Sequence, residues 1–188
     1  MAAAQRTPVF ELHIRPMFRL LDRAHMTTLV TPPIDLWDLD AVWAHRDEIL
    51  TRLRGSGGLN MPGERVGGPW PAEWITLFER WLATGSDAVP GHHLVLSTPD
   101  GPYKVQALAG TRRRLSATVT APSDGCRVWF ALDGVSSGQR DYTLYLEPAF
   151  PAQPDDPTAL QAVDPFDKGD AAKLVIRDAT GTHDVPVG

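Results

Sequence analysis

Five residues in the first third of the chain carry soft-ligand chemistry: His13, Met17, His25, Met26 and Met61. A mixed imidazole and thioether set of this kind suits copper, provided the fold gathers the donors. The spacings that signal zinc are missing, since neither His-x-x-x-His nor His-Glu-x-x-His occurs among the six histidines. Met17 falls on an apolar stripe, where packing accounts for it, and His13 precedes a helix, where exposure is expected. His92 and His93 open the second half of the chain, at what reads as an edge between two halves.

Other chemistries find less support. The string "GVSSG" (residues 134–138) satisfies Gly-x-Ser-x-Gly. A nucleophile elbow needs a strand, a strained turn and a helix, and the flanks of Ser136 read as strand, turn, strand. Asp35, Asp38 and Asp40 are explained as helix caps rather than as a carboxylate pair. Asp155 and Asp156 lie in a long polar connection, where solvation is the default. Phosphate-binding loops of Walker or Rossmann type are absent. No nucleophile, base and orienting group can be placed together from the sequence, so no catalytic residue is assigned.

The elements that must position these residues have two different periods. From Phe10 to about Gly85 the spacing is helical. Phe10, Ile14, Met17, Phe18 and Leu21 recur at three and four on one helical face, and Pro16 in the first turn makes "RPMFRLLDRAHM" the first helix with "FELHI" as its lead-in. A second helix follows "PPIDLWDLD", turns Val42, Ile49, Leu50 and Leu53 inward and stops at "GSGG". A third runs from Pro71 to Gly85 with Trp74, Ile75, Phe78, Trp81 and Leu82 as its stripe. Beyond the breaker-rich "TGSDAVPG", about seven short runs with strand alternation follow, from "HLVLSTP" to "HDVPV". Leu115, Ala117 and Val119 alternate there with Ser116, Thr118 and Thr120. The fold class expected is α+β in two domains: residues 1–88, a three-helix domain, and residues 89–188, an antiparallel β-sandwich. The proline- and aspartate-rich "PAFPAQPDDPTALQAVDPFDKGDA" reads as a long loop and a candidate contact surface. The basic run Arg112, Arg113 and Arg114 reads as a solvated turn.

In the helical half, "FELHIRPMF" resembles the opening of bacterial cytochrome c domains. "NMPGERVGGPWPAEWITLFERWLATG" resembles their closing segment, in which Met-Pro precedes a loop and a final helix. The resemblance covers residues 10–86. The family's Cys-x-x-Cys-His is missing; overlaid on it, Asp22 and His25 stand where the cysteines would be and Met26 where the proximal histidine would be. Met61, in "NMP", matches the distal methionine. The resemblance thus implies a cytochrome c-like helical frame that has lost both thioether anchors and keeps one axial position. It leaves a noncovalent heme held by Met26 and Met61, with His25 as substitute ligand, as an alternative to a heme-free domain. The sandwich half bears a fainter likeness, in "VWFALDG" and "RDYTLYLEP", to the C-terminal domains of type 3 copper oxidases, from which no residue is carried over.

Bulk properties narrow the function. With 188 residues and a formal charge of -5, and a pI near 5.6, the chain lacks the basic excess of a general nucleic-acid binder. The single cysteine, Cys126, precludes an intrachain disulfide and reads as a buried thiol. The N-terminal "MAAAQRTP" has no apolar signal core and no stretch is of membrane-spanning length, so the cytoplasm is the expected location. The expected function is that of a noncatalytic accessory or protein-interaction protein with an unidentified protein partner, an oxidase being the class in view. It would use no cofactor, no nucleic acid and no membrane, and the sandwich would supply the docking face. The alternatives are the heme-binding redox protein above and a copper-handling protein using the histidine and methionine set.

Overall fold

The computed structural model describes residues 6–55, 68–136 and 138–188. It is mixed α and β, and the chain divides into two compact units, Met1–His93 and Leu94–Gly188.

In the first unit the predicted leading helix is interrupted. A π-helical turn, Phe10–Ile14, runs into a 3-10 turn, Arg15–Met17. Phe18 is then extended, at φ -80° and ψ 106°, and helix α1, Leu20–Thr28, begins afresh. Asp22 secures the restart: its carboxylate accepts from the Arg19 amide at 3.1 Å and from the Arg19 guanidinium at 2.9 Å through both oxygens. The expected second helix is likewise two, α2 (Leu39–Ala44) and α3 (Arg46–Leu53), parted at His45. Asp38 caps α2, its Oδ1 accepting from the Ala41 amide at 2.8 Å. Helix α4, Ala72–Leu82, matches the third.

Aromatic rings fill the core of this unit. Trp81 is fully buried and meets Phe10 at 5.4 Å, Trp43 at 5.4 Å and Phe78 at 5.5 Å between ring centroids. Its Nε1 donates to the His92 carbonyl at 3.0 Å. That carbonyl also accepts from the Phe10 amide at 2.9 Å, and the His92 amide donates to Thr84 Oγ1 at 2.7 Å. His92 is therefore a buried backbone pin of the helical core, not the linker histidine its position suggested. Gly91 lets the chain pass, since a Cβ there would lie 2.7 Å from the Trp81 ring.

The second unit is built of two sheets with an apolar core between them. The larger contains β1 (Val95–Leu96), β4 (Arg127–Ser136), β5 (Gln139–Glu147), β7 (Lys173–Asp178) and β8 (Gly181–Pro186). The smaller, in the order β2-β3-β6, contains β2 (Lys104–Ala107), β3 (Arg112–Ala121) and β6 (Thr158–Asp167). Leu115, Ala117 and Val119 face inward from β3, as the alternation predicts, against Phe130, Leu144, Leu174 and Ile176. Three expectations need correction. The pair β5–β7 is parallel, because β6 carries the chain through the other sheet between them. The middle of the presumed long loop is strand β6, paired with β3 from Arg112↔Asp167 to Ala121↔Thr158; Pro165 is tolerated because β6 is an edge strand. Arg112, Arg113 and Arg114 begin β3 rather than forming a turn.

Candidate functional site

The break at Phe18 decides what α1 shows to solvent. A continuous helix would have put Leu21 on the buried stripe with Phe10, Ile14, Met17 and Phe18; those four are buried, but Leu21 is 56% exposed. After the restart, the inward residues of α1 are Asp22 and Met26, one turn apart. Leu20, 67% exposed, and Leu21 therefore point outward beside exposed Ala24 and Thr28.

Two tryptophans flank the same break. Trp37 Nε1 donates to the Phe18 carbonyl at 2.9 Å, and its ring, 38% exposed, lies under the Arg23 guanidinium at 4.6 Å. Arg23 is held in turn by both oxygens of Asp35 at 2.7 Å, and that hydrogen bonding keeps the Asp35 carboxyl below the usual carboxylate range against the opposing effect of burial. Trp74 was expected on the buried stripe of α4 but is 40% exposed. It packs edge-on against Trp70 at 5.7 Å, and Trp70 meets Phe18 at 5.1 Å. Leu20, Leu21, Trp37 and Trp74 are thus tied to buried Phe18 by chain proximity, by a hydrogen bond or through Trp70. Covering a leucine fully is worth roughly 1.5–3 kcal/mol, so a partner that covered this set would gain substantially.

The predicted ligand residues within the described part of the chain differ in exposure. Met26 is buried in the aromatic core together with Met17, whereas His25, the preceding residue of α1, faces solvent. Adjacent helical positions diverge by about 100°, so His25 does not fit as a substitute for Met26 on the core side. His13 is partly buried rather than exposed, with Nδ1 accepting from the Val9 amide at 3.0 Å. Met61 lies outside the described residues. Among the described residues no group of three or more His, Cys, Asp or Glu side chains is placed to hold a metal ion. Ser136 ends β4 and pairs with Gln139 across a hairpin, without the helix that a nucleophile elbow requires. Cys126 is buried.

No family model, no curated protein and no solved structure matches the chain. Among the described residues no helix is long and apolar enough to cross a membrane.

The sandwich carries a polar cluster that sequence reading missed. The Asp178 side chain is fully buried at the end of β7. One of its oxygens accepts from Tyr103 Oη at 2.5 Å and faces His183 Nε2 at 3.1 Å. The other accepts from the Thr180 amide and hydroxyl, each at 2.7 Å, and from the Gly181 amide at 3.1 Å. Burial pushes the carboxyl up, but Tyr103, Thr180 and His183 together outweigh it and hold the pKa at about 2. The Tyr103 hydroxyl is pushed up, by burial first and by Asp178 second. The "D-x-T-G" of the β7–β8 turn (residues 178–181) was the available signal, since aspartate there can accept from the turn amides. The Thr180 hydroxyl also lies 3.0 Å from His183 Nε2; with that hydroxyl, the Thr180 and Gly181 amides and Tyr103 all bonded to Asp178, the cluster clasps the hairpin to the segment bearing Tyr103.

Proposed function

We propose that the protein is a noncatalytic accessory or interaction protein, and that it binds a protein partner through the outer face of α1. The observation that carries this reading is the exposure of Leu20 and Leu21 on α1, with Trp37 and Trp74 also exposed on segments that bond to the Phe18 carbonyl or pack towards its ring through Trp70. An apolar helix face rimmed by charged side chains already engaged with one another suits an apolar groove on another protein. Arg19 is engaged by Asp22 and Arg23 by Asp35, so the rim asks little of the partner electrostatically. This reading moves the docking face from the sandwich, where sequence reasoning put it, to the helical unit. The oxidase class of partner rests on fold-level analogy. Heme-free use of a cytochrome c-like frame remains part of the proposal; its support is Met26, whose side chain packs among core aromatics.

The experiment is site-specific photocrosslinking in source cells, with a photoreactive residue at Leu21 and, as control, at exposed Asp124. A discrete heterologous adduct from position 21 alone supports the proposal. A crosslinked dimer of the chain, or equal labelling at both positions, overturns it, as does turnover by the purified protein. A hemin titration separates the redox alternative: stoichiometric binding with a shifted Soret band would replace this reading.

A further inference from the structure

A second surface, on the sandwich, differs in kind from the α1 face. Side chains alternate along β3, so Arg112 and Arg114 lie on the face opposite to Leu115, Ala117 and Val119. Register carries that outer face onto β2, where Gln106 stands opposite Arg114 and Lys104 opposite Ser116. Lys104, Gln106, Arg112 and Arg114 are all exposed. Successive outward positions on a strand are about 6.5–7 Å apart, and opposed Cβ atoms on neighbouring strands about 4.5–5.5 Å apart. Three cations therefore share one end of the smaller sheet.

Among the described residues Lys104, Arg112 and Arg114 form no side-chain ion pair. The carboxylate opposite Arg112 in the ladder is Asp167, and it accepts instead from Thr111 Oγ1 at 2.7 Å. Exposed Lys168 follows it. Like charges so placed repel one another by an amount that a solvated surface tolerates but does not favour. In a chain of formal charge -5, this is a local excess of the opposite sign.

We propose that this end of the outer β2–β3 face docks an acidic, extended peptide segment of a partner protein. Charge complementarity selects the acid. The spacing selects the extended form, because alternate side chains of an extended peptide repeat at the same distance as Arg112 and Arg114. Guanidinium groups are suited to carboxylates through paired hydrogen bonds, with Gln106 between the cations as a neutral donor. A peptide fits better than a nucleic acid, for which the face offers no stacking aromatic among the residues facing outward here and the chain offers no basic excess.

The test uses the full chain and a fluorescein-labelled decapeptide of alternating Glu and Ser, read by polarisation at low ionic strength. Binding is expected, weakening as salt is raised, and falling roughly tenfold or more in Arg112→Glu/Arg114→Glu. The milder Arg114→Gln, with an unchanged melting curve, should lie between. Arg177→Glu, an exposed cation on the other sheet, should bind as the unaltered chain does. The proposal is overturned if the peptide does not bind, or if Arg177→Glu weakens binding as much as the β3 changes. It is also overturned if a single-stranded oligonucleotide of equal charge binds more tightly than the peptide. A dimer at low salt that the β3 changes dissolve, without peptide binding, would assign the face to a second copy instead.

Discussion

The two units bury their hydrophobic residues by different means, and the difference shows in what each leaves outside. The helical unit is held by a few large rings meeting at tilted and edge-on angles around Trp81 and Phe18. Helix α1 is joined to that core through Asp22 and Met26. In the sandwich, small residues such as Ala117 on β3 and Ala162 on β6 lie in the core, and ladders fix β3 on both edges, to β2 and to β6. Helix α1, which also bonds its neighbours through Arg23–Asp35 and the Ile34 amide on the Met26 carbonyl, has fewer ties than a strand held by two ladders and opens more readily. The surfaces follow suit: adaptable leucines on α1, and cations at fixed pleat spacing on β3. Exposed apolar side chains thus lie on the element with fewer ties, and exposed cations on the one pinned by two ladders.

The largest effect that could break this comparison is in the helical core. Trp81→Ala removes a ring that touches three others and a donor to His92, at a cost of about 3–5 kcal/mol. Its helical circular dichroism should melt far earlier, and an unchanged melting curve would show that the rings do not hold the unit. Next in size is the sandwich clasp. Because the folded Asp178 carboxyl sits at about 2, below its unfolded value of about 3.9, its stabilisation is complete above about pH 4 and lost as pH falls towards 2. Asp178→Asn should cost about 2 kcal/mol at neutral pH and flatten the acid limb of the stability curve, followed by urea unfolding at several pH values. A limb as steep as that of the unaltered chain would place the acid sensitivity elsewhere.

Smaller effects probe α1 itself. Asp22→Ala withdraws the carboxylate that receives the Arg19 amide and guanidinium, at about 1 kcal/mol. Amide exchange in the first turn of α1 should quicken before that of β3 does; equal quickening in both would deny that α1 is the more loosely held. Smallest is His25→Ala, whose exposed ring should matter by less than about 0.5 kcal/mol. Its hemin titration should match that of the unaltered chain, and a lost heme signal would revive His25 as a ligand.

Much of the fold could be read from residue patterns, and the failures share a cause. Helix α4 and most of the strand runs were visible because apolar periodicity and turn residues agreed there. The interruption at Phe18 was not, because Phe10, Ile14, Met17 and Phe18 keep helical spacing while lying on π, 3-10 and extended backbone. Strand β6 was hidden by Asp164, Pro165 and Asp167, which suit an edge strand but read as loop. Arg112 to Arg114 were read by charge when their alternation mattered more. For the candidate sites, the composition of α1 was plain, but which of its leucines face solvent depended on the phase of the restart. Asp178 needed partners from Tyr103 to His183, distant in sequence from one another, and no local pattern joins them.

The parallel pair β5–β7 has a consequence for how the sandwich is made. The β4–β5 hairpin can close as soon as Glu147 has been synthesised. On the other edge of β5, β1 can already pair with Tyr145 and Leu146, but the stretch from Gln139 to Thr143 waits for β7, with all of β6 in between. Until β7 arrives, that stretch presents bare amides and carbonyls beside the apolar inner face of β5. The interval between hairpin closure and strand insertion is therefore the period in which the nascent chain is most open to mispairing with its neighbours.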